Sequence, residues 1–409
     1  MNFIIDARSP YSSEKLFSLS LVERIARQLS ILQVKTALIV ISQESKSKQL
    51  ISKEFEKRFD LQLQWLCSVD RLSIILRSEN MVSSGITILE GDGIYDDRVL
   101  KQLLESDSSL QIINEREPNA PLAVTLDEPD VKRFADSGKE LKEFLVSSSV
   151  IKLSTRLMQA YIRFLRKHIE PVLLRLTDTK EIRTIENDLY EKTFKGGMEI
   201  VAIYGYRIPV RELTRFFAKT PVTPNMVTAL ATICKLGAIP FFFYGYLLTG
   251  LILAFSFIIL DSLDGKLARM TFRFSETADK VDHMTSMPAR VGWNFGMCWY
   301  FSGGDMTSFP GIAGLILTIL PFMDDINWTI IKHKFHRSLF DLTPFDTSIH
   351  LFNVKRNDTA LMIIGTIAGF SLQTFYIITL WTIIVWIWHT LRTIYVITVL
   401  SKKHPEILQ

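Results

Sequence analysis

Short β-rich runs at Phe3 to Ile5, Ala37 to Ile41 and Ile86 to Leu89 alternate with helical periodicity at Leu19 to Leu32 and Asp97 to Leu104. That alternation predicts an α/β layer fold over residues 1–150. From Lys139 to Lys195 apolar residues recur at three and four with a break at Pro171, which predicts a helical connector assigned to residues 151–204. The pattern changes after Asn225, where apolar runs become long enough to cross a bilayer. Six spans are expected there, at about 225–247, 249–268, 282–302, 311–331, 359–373 and 375–400, giving an all-α membrane domain over 225–409.

Between these halves, in residues 205–224, Arg207, Arg211, Arg215 and Lys219 recur every fourth residue. A basic stripe of this kind predicts a helix lying in the headgroup layer, with cations near lipid or substrate phosphates; a surface anchor without chemistry fits the same pattern. Thr220 to Asn225, with two prolines, ends that helix before the first span. Arg269, Arg273 and Lys280 lie between spans two and three, Lys332 to Arg356 carries five cations between spans four and five, and Lys402 and Lys403 follow the last span. The opposite loops, at Tyr246 to Thr249, Ser302 to Pro310 and Ser371 to Thr374, have none. The expected topology is therefore a multi-pass protein of the cell (inner or cytoplasmic) membrane with both termini cytoplasmic.

Composition adds exclusions. A formal charge of +4 over 409 residues, with cations beside apolar spans, gives no case for nucleic acid. Cys67, Cys234 and Cys298 are widely separated, so neither a disulfide framework nor a zinc site is indicated. The start, Met1 to Asp6, lacks a basic stretch followed by an apolar core and is not read as a signal peptide.

Ionised carboxylates in a span cost roughly 2.5 to 3.5 kcal/mol each and usually mark a water-filled site. The second span ends Leu260-Asp261-Ser262-Leu263-Asp264-Gly265-Lys266-Leu267-Ala268-Arg269, with Asp261 and Asp264 three apart on one helix face. Gly265 and Ala268 are small enough to let a ligand or neighbouring helix approach. Asp279 and Asp282 open the third span. Grouped hard oxygens suit Mg2+ or Mn2+; the structural alternative is simple pairing with Lys266, Arg269 and Lys280. An ion transporter is disfavoured, because such carboxylates would sit near the bilayer midplane instead of at the helix ends.

The string D-x-x-D-G-x-x-A-R, Asp261 to Arg269, resembles the first half of the signature of CDP-alcohol phosphotransferases. Its second half, G-x-x-x-D-x-x-x-D, falls on Ala278, Asp282 and Ser286, so the glycine and the fourth aspartate are replaced. Thr223-Pro224-Asn225 and Arg356-Asn357 are similar to further family features. The resemblance implies a six-helix membrane enzyme that moves a phosphoalcohol group from a CDP-alcohol to an alcohol or inositol-phosphate acceptor, releasing CMP, with membrane lipid around it and a homodimer as its assembly. It also implies Asp261, Asp264 and Asp282 as metal ligands, and Asn225, Gly265, Ala268, Arg269, Arg207 and Arg211 around the nucleotide. Ser286 is too weakly basic to take the acceptor's proton, which leaves His283 or Asp279 as the base. Without either, the fold binds nucleotide or lipid without turnover.

Residues 1–150 resemble sugar-nucleotide transferases of the GT-A-like α/β type, through Leu21 to Leu29 and Leu89-Glu90-Gly91-Asp92. The union of the two halves is similar to bifunctional enzymes that make CDP-inositol and then di-inositol-phosphate phosphate. Those enzymes hold the triphosphate with a Gly-rich basic loop after the first strand, whereas this chain reads Asp6-Ala7-Arg8-Ser9-Pro10-Tyr11-Ser12-Ser13. The expectation is a degenerate domain without nucleotidyl transfer, Asp92 being a remnant. Asp324, Asp325 and Arg290 are expected to pair or line a cavity, Arg392 to snorkel, and Trp381, Trp386, Trp388 and Tyr395 to act as anchors or core.

Overall fold

The computed structural model describes residues 2–43, 50–79, 81–117, 119–162 and 165–401; Met1 and the cations Lys402 and Lys403 lie outside them. The chain divides into two compact units, Met1–Ile162 with His168–Lys192, and Arg163–Lys167 with Thr193–Gln409.

Unit 1 is built on strands β1 (Asn2–Asp6), β2 (Thr36–Ile41), β3 (Gln62–Cys67), β4 (Ile86–Glu90), β5 (Gly93–Tyr95), β6 (Leu110–Ile113), β7 (Ala123–Leu126), β8 (Ile151–Ser154) and β9 (Leu173–Arg175). Seven form one sheet in the order β8-β6-β7-β4-β1-β2-β3. β1 runs parallel to β2 and β4, with Ile4 opposite Leu38 and Ile88, and β7 is antiparallel to both β4 and β6. The central strands read as unbroken apolar runs because both faces are covered. Phe3, Ile5, Ile39 and Leu89 pack with Val22, Ile25 and Leu29 of α1 (Leu21–Ile31) and Val99 and Leu103 of α4 (Asp97–Leu104). The alternate residues Ile4, Leu38, Val40 and Ile88 pack on the other face, against α3 (Leu72–Ser78), α5 (Glu128–Ser137) and α6 (Leu141–Ser147); the short α2 (Lys53–Arg58) adds Phe55 to the first core. Ser20 caps helix α1, its Oγ accepting from the Glu23 N–H at 3.0 Å, and the Glu23 carboxylate holds the buried Arg27 at 2.5 Å.

The helical connector is corrected. Residues 139–195 contain β8, which extends the large sheet beside β6, and β9, which pairs antiparallel with β5. Helix is confined chiefly to α6 and to α7 (Ile182–Lys192). The runs at Ile151 and Leu173 are too short for periodicity to separate strand from helix, and edge pairing decides them.

Unit 2 is helical: α8 (Arg207–Ala218), α9 (Pro224–Phe243), α10 (Leu247–Thr271), α11 (Glu276–Ser302), α12 (Phe309–Phe335), α13 (Pro344–His350), α14 (Asn357–Ile367) and α15 (Ser371–Tyr395). Thr223 caps α9 by accepting from the Met226 N–H, with Pro224 at the first helical position. Gly245 makes the turn into α10 at φ 74°, where an added Cβ would run into the Tyr300 ring. Among the described residues four helices are long and apolar enough to cross a membrane: Pro224–Phe243, Leu247–Thr271, Phe309–Phe335 and Ser371–Leu400. Six spans were expected. The third falls on α11, long enough but carrying Asp279, Lys280, Asp282 and Arg290, and the fifth on α14, only 11 residues long. The four apolar helices mark a multi-pass membrane protein.

Phe134 is fully buried against Phe144, ring centroids 5.1 Å apart. Phe134→Ala is expected to destabilise unit 1 by about 3–5 kcal/mol, read as a lower denaturation midpoint and faster proteolysis of the N-terminal half of the detergent-solubilised protein.

Candidate active site

The aspartates of α10 and α11 do not share one opening; each meets a partner from elsewhere in unit 2. Asp261 Oδ2 lies 3.6 Å from Arg356, which also reaches the buried Glu199 at 3.3 Å. Arg356, just before α14, sits at φ 71°, a conformation that a non-glycine residue keeps only where its surroundings fix it. Asp264 Oδ2 accepts a 2.6 Å hydrogen bond from the Thr228 hydroxyl of α9, and lies within electrostatic reach of both Asp261 and Asp282. Asp282 Oδ1 accepts 2.8 Å from Lys235 Nζ, also on α9.

Lys235 was not foreseen. Its side chain is 1% exposed, donates to Ser286 Oγ at 3.0 Å, and stacks 4.7 Å over the Phe257 ring of α10. Trp293 Nε1 of α11 donates to the Lys235 carbonyl at 2.8 Å, so three helices converge on this residue. Among the described residues, Asp261 lies near Arg356, Asp264 accepts from Thr228 and Asp282 from Lys235. Lys266 lies 3.9 Å over the Phe194 ring, and Arg207 lies 4.8 Å from the same ring.

A metal was expected at the three aspartates, yet among the described residues no group of three His, Cys, Asp or Glu is close enough to hold one. The oxygens fit unequally. Asp261 and Asp264 share a face, the first with only a 3.6 Å ionic neighbour and the second with a neutral hydroxyl, so their remaining lone pairs suit a hard divalent cation. Asp282 does not fit, because an ammonium already holds its Oδ1.

Asp261 and Arg269 border a cavity of about 340 Å3 lined within unit 2 by seven Lys and Arg residues (166, 195, 266, 269, 290, 355 and 356) against Glu199, Asp261, Asp324 and Asp325. Burial pushes Lys195 down to about 8 and lowers Lys355. An anion entering this space would favour the charged form of both lysines. Gly265 lets the Arg269 guanidinium fold back along α10, since an added Cβ would sit 3.3 Å from its Nη2. Arg166, Lys195 and Glu199 carried no signal in the sequence, because each lies outside both the motif and the spans.

Of the remaining expected residues, Asn225, Ala268, Arg207, Arg211, Asp279 and His283 lie away from the cavity lining. Asn225 is exposed at the start of α9, and Ala268 is half-buried. Arg211 bonds Glu212 at 3.2 Å. The two candidate bases are about three-quarters exposed: His283 Nδ1 lies 3.0 Å from the Asp279 carbonyl and 3.8 Å from its carboxylate. Asp325 and Arg290 line the cavity, while Asp324, also on its wall, is held by His389 at 2.9 Å and Trp328 at 3.0 Å. Arg392 does not snorkel: it makes a two-pronged bridge to the buried Asp346 at 2.7 and 2.8 Å.

In unit 1, the loop after β1 spends its amides on itself. Arg8 N–H donates to Asp6 Oδ1, Tyr11 N–H to Ser9 Oγ and Ser12 N–H to the Ser9 carbonyl. The Arg8 guanidinium forks onto Asp6 at 2.7 Å, and Arg175 closes on Glu90 and lies 3.6 Å from Asp92. Burial raises the Asp92 carboxyl.

The chain thus joins an α/β unit to a multi-pass helical unit that carries a cationic cavity beside Asp261. Residues 221–307 match the family model for CDP-alcohol phosphatidyltransferases. The match spans α9, α10 and α11 and so contains the whole aspartate string. Similar solved structures include the phosphatidylinositol phosphate synthase of Mycobacterium tuberculosis with CDP-DAG bound, 18% identical over 46% of this chain and 94% of that one, TM-score 0.36. The same synthase with manganese and citrate is 16% identical over 45% and 88%, TM-score 0.33. The inositol-1-phosphate CTP transferase from T. maritima is 10% identical over 44% and 93%, TM-score 0.31. No curated protein matches the chain.

His350 borders the cavity outside the spans, stacked on Phe340 with centroids 4.0 Å apart, and burial pushes its imidazole down to about 4. The unfolded chain then binds the extra proton between pH 6.5 and about 4, so stability is full above that window and falls as pH drops through it, by roughly 3 kcal/mol at most. A thermal melt of the solubilised protein is expected to lose stability between pH 7 and 5, and His350→Phe to flatten that dependence.

Proposed function

We propose that unit 2 transfers a phosphoalcohol group from a CDP-alcohol to an acceptor hydroxyl and releases CMP. The observation that carries this reading is that α10 brings Asp261, Lys266 and Arg269 to a cationic cavity, with Asp264 one turn after Asp261, within the stretch matched to the family. In this reading Asp261 and Asp264 hold Mg2+ or Mn2+, which when bound neutralises diphosphate oxygens and the charge of departing CMP. Arg269 and Lys266 bind the donor's phosphates. Lys195, Lys355 and Arg356 bind the acceptor, whose hydroxyl oxygen attacks the β-phosphorus while the bond to CMP breaks and the hydroxyl proton passes to water.

The excess of basic over acidic residues on the cavity wall favours an anionic acceptor such as an inositol phosphate over a neutral alcohol. Because His283 and Asp279 do not line the cavity, neither is assigned as the base. Helix α8 lies at the cytoplasmic headgroup layer in this proposal, its exposed Ile208 and Phe216 towards lipid, with both termini cytoplasmic and a homodimer formed through the spans. Residues 1–150 act without nucleotidyl transfer, a reading supported by the self-satisfied amides after β1. A second reading, a nucleotide- or lipid-binding member without turnover, is favoured by one observation: Asp282 is neutralised by Lys235 and faces serine at 286.

Purified full-length protein with Mg2+ or Mn2+ and a panel of CDP-alcohols, with and without inositol phosphate, is expected to release CMP. Asp264→Ala is expected to lose at least about 100-fold in rate. No CMP from any donor, with CDP binding retained, would select the second reading; equal rates in the variant would remove the aspartates from the active centre.

A further inference from the structure

The Lys235 ammonium has a filled coordination sphere. Its three protons face Asp282 Oδ1 at 2.8 Å, Ser286 Oγ at 3.0 Å and the Asp282 carbonyl at 3.4 Å, and the Phe257 ring lies 4.7 Å away. Charge balances within this cluster: one buried cation meets one carboxylate, and the neutral Ser286 adds none. An aspartate at 286 would leave a negative charge for a second cation to compensate. With serine there, a divalent ion bound to Asp282 would displace the ammonium or sit within a few ångströms of it, where like charges repel strongly in a low dielectric. Asp264, by contrast, is met by a neutral hydroxyl, and Asp261 only by the longer 3.6 Å contact.

We infer that Lys235 is a built-in cation that takes the place of a metal ion at Asp282 and position 286, so that the site admits one divalent ion, at Asp261 and Asp264. The inference rests on the reading of those two aspartates as metal ligands. Lys235 thereby acts as a positioning residue: it fixes Asp282 and Ser286 of α11 against α9 and supplies the positive charge that a second ion would otherwise bring. Serine at 286 leaves Lys235 opposite a single carboxylate, whereas a second one there would be left uncompensated.

The test counts metal without reading turnover. Full-length protein in nanodiscs is titrated with Mn2+ alone, and bound ion is measured from the loss of the free-ion electron paramagnetic resonance signal. One Mn2+ per chain is expected for the wild type, none for Asp264→Ala, and still one for Ser286→Asp, in which Lys235 remains. The double variant Lys235→Met/Ser286→Asp is expected to bind two. Two ions in the wild type or in Ser286→Asp, or none in the wild type, would overturn the inference, as would a folded double variant that binds only one. Should the double variant fail to fold, the wild-type and Ser286→Asp counts still decide. A count of one with no CMP from any donor would keep the inference and reject the transferase reading, so the two failures are told apart.

Discussion

A carboxylate carried on a membrane helix gives up its hydration, and the loss is tolerable only where another group returns the hydrogen bonds or the charge. The way unit 2 meets that constraint arranges the site. Asp261 reaches towards Arg356 from the start of α14, Asp264 takes the Thr228 hydroxyl of α9, and Asp282 takes Lys235 from the same helix. Asp324 and Asp346 are met in the same manner by His389 and Arg392 of α15. These contacts tie α9, α10, α11 and the segment before α14 together through their polar positions, while the apolar core around Phe242, Leu251 and Phe375 fills the space between the helices.

The compensation is uneven, and that unevenness makes the site chemical as well as structural. Around the cavity cations outnumber carboxylates, and burial lowers Lys195 and Lys355. A phosphate there improves the folded protein's own electrostatics. Glu199 and Arg356 illustrate the opposite case: their bridge is internal, and it anchors a strained backbone position beside Asp261. Affinity for an anion and rigidity of the wall thus come from neighbouring parts of one charge network.

Much of this was legible in the sequence where the signal was local. The unbroken apolar runs of β1, β2 and β4 and the periodicity of α1 and α4 gave the α/β unit, because both depend on residues a few positions apart. The i, i+3 spacing of Asp261 and Asp264 with the small residues after them was equally local. Lys235 was invisible for the opposite reason: a single lysine in an apolar helix reads as a snorkelling side chain, and its partner lies 47 residues on. The strands between 151 and 175 were missed because four- and three-residue runs take their structure from the edge they join. The short α14 shows that apolar composition does not determine where a helix ends.

The two units share one substitution in kind. After β1, where a phosphate-binding loop needs free amides, Arg8 covers Asp6 and the loop's own oxygens take the N–H groups. Arg175 does the same for Glu90 and approaches Asp92. At α11, Lys235 covers Asp282. In each case a side-chain cation fixed by the fold stands against an acid that could otherwise hold an external cation. An internal cation is always present and cannot leave with a product, so a position filled this way contributes to stability and geometry in place of reversible binding. In unit 1 it engages acids on both sides of the loop, Asp6 as well as Glu90 and Asp92. In unit 2 Lys235 meets Asp282 and Arg356 lies 3.6 Å from Asp261, while Asp264 is met by the neutral Thr228 hydroxyl.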